Sequence, residues 1–131
     1  ELGNRTLADV LLEPHANYVA PIRRALDARI PIRGMAHITG GGLVENVPRI
    51  LPAGLGATIA IGSWTPQPIF TMMQRIGNID ALEMHRAFNM GIGLAMIAPA
   101  GQLAALTDAM QPFTVAEIGR VEAGIEGVRL V

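Results

Sequence analysis

The chain has 131 residues, the size of one domain with a buried core. Half of them are hydrophobic, 16% are charged and the net charge is −1, which excludes a disordered tail and leaves no global field for nucleic acid or anionic lipid. With no Cys and no Lys, disulfides, thiolate chemistry, a P-loop lysine and a Schiff-base lysine are all excluded; the ten basic residues are all Arg, whose planar guanidinium suits phosphate or carboxylate.

In chain order, Thr6–Leu12 reads as one or two helical turns. Pro14 then stands where the first residue of a helix would, and Tyr18, Val19, Ile22, Leu26 and Ile30 recur at helical spacing up to Pro31. Met35–Ile38, short, apolar and bounded by glycines, predicts a buried strand. A glycine-rich turn follows, then a short helix over Leu43–Leu51 interrupted by Pro48, then a loop marked by Pro52, Gly54 and Gly56. Ala57–Ile61 predicts a second strand. Pro68–Ile76 predicts a helix stopped by Gly77-Asn78, and Asp80 with Glu83 suggests a capping box for a helix over Ala81–Phe88. Ile92–Ala98, apolar nearly throughout, predicts a strand buried on both faces. Pro99 opens an Ala-rich helix to Met110, and Val115–Val121 and Val128–Val131 form a closing antiparallel pair around Gly124. Strands alternating with helices predict an α/β (α+β) fold, a single layered domain with a mixed β-sheet flanked by helices.

The sharpest chemical feature is the passage from strand to helix through Thr39, Gly40, Gly41 and Gly42. Glycines admit positive φ and let a ligand approach the backbone, and successive N–H groups there can cradle a phosphate. Thr39 offers a hydroxyl, Asn46 an amide and Arg49 a bidentate donor. A tight turn with no ligand explains three glycines equally well. Glu45 would repel an adjacent phosphate, so it is expected to point elsewhere or to meet a metal or an Arg. The second feature, Phe88-Asn89-Met90-Gly91-Ile92-Gly93, is either a cleft wall with Asn89 as a polar contact or, more simply, a helix cap beside close packing. His37, in an apolar strand, reads first as a hydrogen-bonded core or rim residue. Trp64 is either an anchor for another domain or ordinary packing. The three His residues show no metal-binding spacing, and no residue stands out as a catalytic base or metal ligand.

Together these motifs carry a resemblance. The stretch AHITGGGLVENVPRILP (Ala36–Pro52) closely resembles the signature of the phosphoribosylformylglycinamidine cyclo-ligases, also called aminoimidazole ribonucleotide synthetases. TLADVLLEP (Thr6–Pro14) with Tyr18-Val19, the segments Gly62–Phe70 and Gly77–Met84, FNMGIG (Phe88–Gly93) and IGRV (Ile118–Val121) resemble further family segments in the same order. The similarity thus runs over nearly the whole chain.

The resemblance implies the C-terminal domain of a two-domain, cytoplasmic, homodimeric enzyme of purine biosynthesis. The N-terminal domain, absent here, would supply most of the ATP site, its Mg²⁺ ligands and the dimer contacts. The implied reaction uses ATP to activate the formyl amide oxygen of formylglycinamidine ribonucleotide, and an internal nitrogen then closes the imidazole ring. The products are aminoimidazole ribonucleotide, ADP and phosphate. Placed on this sequence, Thr39, Gly40, Gly41 and Gly42 would cradle a phosphate, and Asn46, Arg49 and Asn89 would contact substrate or nucleotide. Two departures stand out: His15-Ala16 where the family often has Thr-Arg, with Arg23 or Arg24 as a substitute cation, and Met90 where Cys is common. The alternatives are another ATP-using enzyme of the superfamily and a non-catalytic ligand-binding or dimerisation module.

Overall fold

The structure, a computed structural model, describes residues 2–131. Its first helix, α1 (Leu7–Leu11), is set by local chemistry: the Thr6 hydroxyl accepts the Asp9 N–H at 3.1 Å while the Asp9 carboxylate accepts the Thr6 N–H at 2.9 Å. It buries no residue.

The second helix, α2, spans Val19–Asp27, five residues later than Pro14 suggests. Pro21 explains the shift. A helix begun at Pro14 would carry Pro21 in its interior, without an N–H and in collision with the preceding turn. Begun at Val19, it places Pro21 in the first turn, where no intrahelical donor is missed. Asn17 marks the true start, its side-chain oxygen accepting the Val19 N–H at 3.0 Å.

The remaining elements are β1 (Gly34–His37), α3 (Gly42–Asn46), a 3-10 turn (Pro48–Ile50), β2 (Leu55–Ile59), α4 (Pro68–Gly77), α5 (Ala81–Ala87), β3 (Leu94–Ile97), α6 (Leu103–Ala109), β4 (Gly119–Ala123) and β5 (Val128–Leu130). Pro48 interrupts the helix after the glycines, and Asn78, in the left-handed conformation, ends α4. Asp80 caps α5 through the N–H groups of Leu82 and Glu83, without the return bond of a capping box. The Ala-rich helix begins at Leu103 rather than Pro99, because Gly101 takes a left-handed turn between them.

The strands form two sheets. β1 and β3 pair antiparallel, Ala36 opposite Ala95 and His37 opposite Leu94. The other sheet has the order β4-β2-β5, antiparallel on one side of β2 and parallel on the other, so it is mixed. The closing strands therefore run in opposite directions but do not pair, since β2 lies between them. The result is an α+β layered domain.

The β1–β3 ribbon separates two cores. Ala36 and Ile38 face a cluster with Leu43, Val47, Ala57 and Ile59, and Ala95 packs on it from β3. On the opposite face Met96 packs on Ala25, Ile30, Leu106 and Ala109, between α2 and α6. Burial of side chains such as Ile38 and Leu43, each 1% exposed, stabilises by about 2 kcal/mol apiece. Contrary to the expectation of a strand buried on both faces, every residue of β3 is only half-buried: a two-stranded ribbon leaves its strands an open edge.

Candidate functional site

β1 ends at His37, and one further bond, Ile38 N–H to the Gly93 carbonyl at 2.9 Å, zips the ribbon to its tip. The glycine loop leaves β1 at this tip and the Asn89–Gly93 turn enters β3 there. The antiparallel pairing thus brings together two motifs far apart in the sequence.

The three glycines serve three different purposes. A Cβ on Gly40 would meet nothing within 4 Å, so this position faces open space. Gly41 has φ +93°, and a Cβ there would press on the Glu45 side chain at 2.7 Å. Gly42 has φ +54° and is buried; a Cβ would lie 2.1 Å from the His85 carbonyl oxygen and 2.7 Å from that of Phe88. Gly42 is thus required by the close approach of α3 to α5. Thr39 is exposed, and its carbonyl accepts the Gly42 N–H at 3.0 Å. The Gly40 and Gly41 N–H groups carry no hydrogen bond among the described residues.

Asn46 is 6% exposed and faces inward. Its Nδ2 donates to the carbonyls of Gly40 at 3.1 Å and Gly42 at 2.8 Å. It clamps the loop. Asn89 behaves similarly in its own turn, where its side-chain oxygen accepts the Gly91 N–H at 3.0 Å. Met90 is held in a left-handed conformation, φ 49°, and its carbonyl accepts the Trp64 indole N–H at 2.9 Å. Trp64 also packs on the core, so internal packing accounts for it. Arg49 is exposed on the 3-10 turn and makes no hydrogen bond to the loop among the described residues. Of the residues named from sequence, the structure therefore gathers Thr39, Gly40, Gly41, Gly42, Asn46 and Asn89 at one tip, with Arg49 beyond the end of α3.

Charge around the tip is sparse. Glu45 meets an Arg, its Oε1 lying 3.8 Å from Arg86 on the surface, but its Oε2 stays beside the loop, 2.7 Å from where a Gly41 Cβ would be. Arg24 is unable to replace the cation missing at Ala16: its guanidinium is spent on the carbonyls of Ala109, at 2.9 Å, and Gln111, which ties α2 to the end of α6. His85 lies beneath the loop, 7% exposed, edge-on to Trp64 with centroids 5.9 Å apart. Burial lowers its pKa below the ordinary imidazole value, and its Nδ1 is buried without a partner.

A second cluster escaped the sequence reading. The His15 and His37 Nε2 atoms lie 2.7 Å apart, with the Tyr18 ring 6.0 Å from one imidazole and 6.5 Å from the other. Burial raises the Tyr18 pKa, and its hydroxyl occupies the space that a Cβ on Gly93 would fill. These residues, with Asn17 and Leu94, line a cleft of about 420 Å³ beside the ribbon tip. His37 is thus a hydrogen-bonded rim residue, as expected of its strand. Only its partner was hidden, because nothing local in the sequence joins the segment before α2 to the end of β1.

Among the described residues no group of three or more His, Cys, Asp or Glu converges on a point, and no helix is long and apolar enough to cross a membrane. A family model described as "AIR synthase related protein, C-terminal domain" matches residues 1–131. The chain is similar to the phosphoribosylformylglycinamidine cyclo-ligase of Aromatoleum aromaticum, 46% identical over 97% of this chain and 37% of the relative. It is 43% identical to that of Bifidobacterium longum subsp. infantis over 100% of this chain and 38% of the relative, and 48% identical to that of Gloeobacter violaceus over 95% and 37%. The chain therefore spans less than two fifths of the length of these curated relatives. A match along its full length, together with a glycine loop and an Asn-Gly turn meeting at one tip, places this chain in the AIR synthase related family, as a C-terminal domain of that family.

Proposed function

We propose that the chain is the C-terminal domain of a phosphoribosylformylglycinamidine cyclo-ligase, acting with an N-terminal domain in a homodimeric, cytosolic enzyme. In this reading ATP activates the formyl amide oxygen of formylglycinamidine ribonucleotide, and ring closure gives aminoimidazole ribonucleotide, ADP and phosphate. The observation that carries it is the open position at Gly40, where a side chain would meet nothing within 4 Å, beside the Gly40 and Gly41 N–H groups, which carry no hydrogen bond among the described residues. Such a nest suits a phosphate oxygen.

The chain's own residues hold and orient. Gly40 and Gly41 donate to the phosphate, Thr39 adds a hydroxyl, and Asn46 keeps the loop in shape from behind. Asn89 shapes the opposite wall, whereas Arg49, beyond the end of α3, is left out of the cradle. Bound ATP supplies the phosphoryl group that turns the formyl oxygen into a leaving group. The carboxylates described here do not fit a Mg²⁺ cage, so the metal's ligands are assigned to the rest of the enzyme.

A second reading, a non-catalytic binding module, draws on Gly42 and Asn46, whose roles are fully accounted for by packing and internal bonds. Aminoimidazole ribonucleotide formation by the chain mixed with a cyclo-ligase N-terminal domain separates the two. Gly40→Val puts a side chain into empty space at ordinary φ, so circular dichroism should be unchanged while turnover falls more than tenfold. Full activity with Gly40→Val removes the phosphate role; no activity in any mixture of folded partners favours the binding module.

A further inference from the structure

We propose that His15 and His37 form a two-imidazole site for a borderline divalent transition-metal ion, Ni²⁺ or Cu²⁺ before Zn²⁺. The two Nε2 atoms face each other at 2.7 Å from separate elements, His37 at the end of β1 and His15 on the irregular segment before α2. At that distance one N–H lies between two nitrogens that compete for it. An ion removes the competition: the shared proton moves to Nδ1 of the same ring or, when the pair carries an extra proton, leaves to solvent. Both Nε2 lone pairs then bind the metal.

The geometry favours a tetragonal ion. Two nitrogens about 2.1 Å from one ion lie about 3 Å apart at a right angle and about 3.4 Å apart at the tetrahedral angle. The first needs a few tenths of an ångström in separation and a turn of the rings that aims both lone pairs at one point; the second needs more than twice that separation. Both imidazoles are exposed, and no helix or strand holds the His15 backbone, so the smaller shift costs little. Water fills the remaining positions from the adjoining cleft, since no third His, Cys, Asp or Glu converges there. Hard Mg²⁺ prefers oxygen and has no reason to choose this pair. The site is separate from the proposed phosphate loop and does not depend on that reading.

The composition makes the test clean. The chain has no Cys and three His, of which His85 is buried. Calorimetric titration of the tag-free chain, its folding checked by circular dichroism, with NiCl₂ and CuCl₂ should give one site per chain. Losing either imidazole ends chelation, so His15→Ala and His37→Gln should each weaken binding by roughly a hundredfold. Electron paramagnetic resonance of the Cu²⁺ complex should show two nitrogen ligands in the parent and one in His15→Ala. His15 is exposed outside any regular element, so its variant decides the matter even should His37→Gln unfold. Parent binding no tighter than that of His15→Ala, or equal binding of MgCl₂, overturns the proposal.

Discussion

The ribbon tip and the N-terminal segment lie within reach of one another through His15 and His37, yet they are built on opposite principles. At the tip, Leu43 is 1% exposed and Gly42 is wedged against α5 through contacts between distant parts of the chain, around a loop that Asn46 clamps locally. In the N-terminal segment, Leu12 is 81% exposed, α1 buries nothing, and the bonds are short-range: the Thr6–Asp9 box and an exposed Arg5–Glu13 pair at 2.7 Å. An exposed ion pair contributes about 1 kcal/mol at most. The tip should therefore fail with the whole domain, whereas α1 should be able to melt alone.

The hardest test is Gly42→Ala. Its methyl would sit on two backbone carbonyls in a left-handed conformation, so unfolding in urea should show a loss of about 3–4 kcal/mol. A loss below 1 kcal/mol would mean that α3 and α5 are not locked together. Asn46→Leu comes next. It leaves the Gly40 and Gly42 carbonyls without their amide, at a cost of about 2 kcal/mol in the same assay. On the other side of the comparison, Thr6→Ala should weaken α1 by about 1 kcal/mol. Hydrogen exchange at Val10 and Leu12 should quicken while the Tm of the domain stays put. A shared drop in Tm would erase the distinction between the two regions.

The smallest effect is one of pH. The folded-state pKa of His85 is lowered from its ordinary 6.5, so the unfolded chain takes up this proton first as pH falls. Its contribution is complete above about pH 6.5 and is lost as pH falls from there through the folded-state value. Chemical unfolding at a series of pH values should show that decline, and His85→Gln should flatten it. An unchanged slope would mean that His85 is not kept neutral by burial.

Much of the fold could be read from local chemistry. Asn78 ends α4 and Pro48 breaks α3 from the 3-10 turn because a left-handed residue and a proline impose their conformations on any chain. The start of α2 was equally legible, since Pro21 forbids a helix begun at Pro14. The partition of the strands into two sheets was not legible. β2 sits between β4 and β5 only because its two edges accept partners of opposite direction, and strand periodicity is blind to which edge is taken.

The sequence by itself determined the family and the place of the glycine loop between a strand and a helix, because those rest on residue types and their order. Only the tertiary structure decided which glycine is left open. Gly40 is open and Gly42 is filled by the carbonyls of His85 and Phe88. The space around a Cα is set by atoms remote along the chain. The same holds for His15 and His37, whose meeting depends on the ribbon and on the segment before α2 folding across its tip.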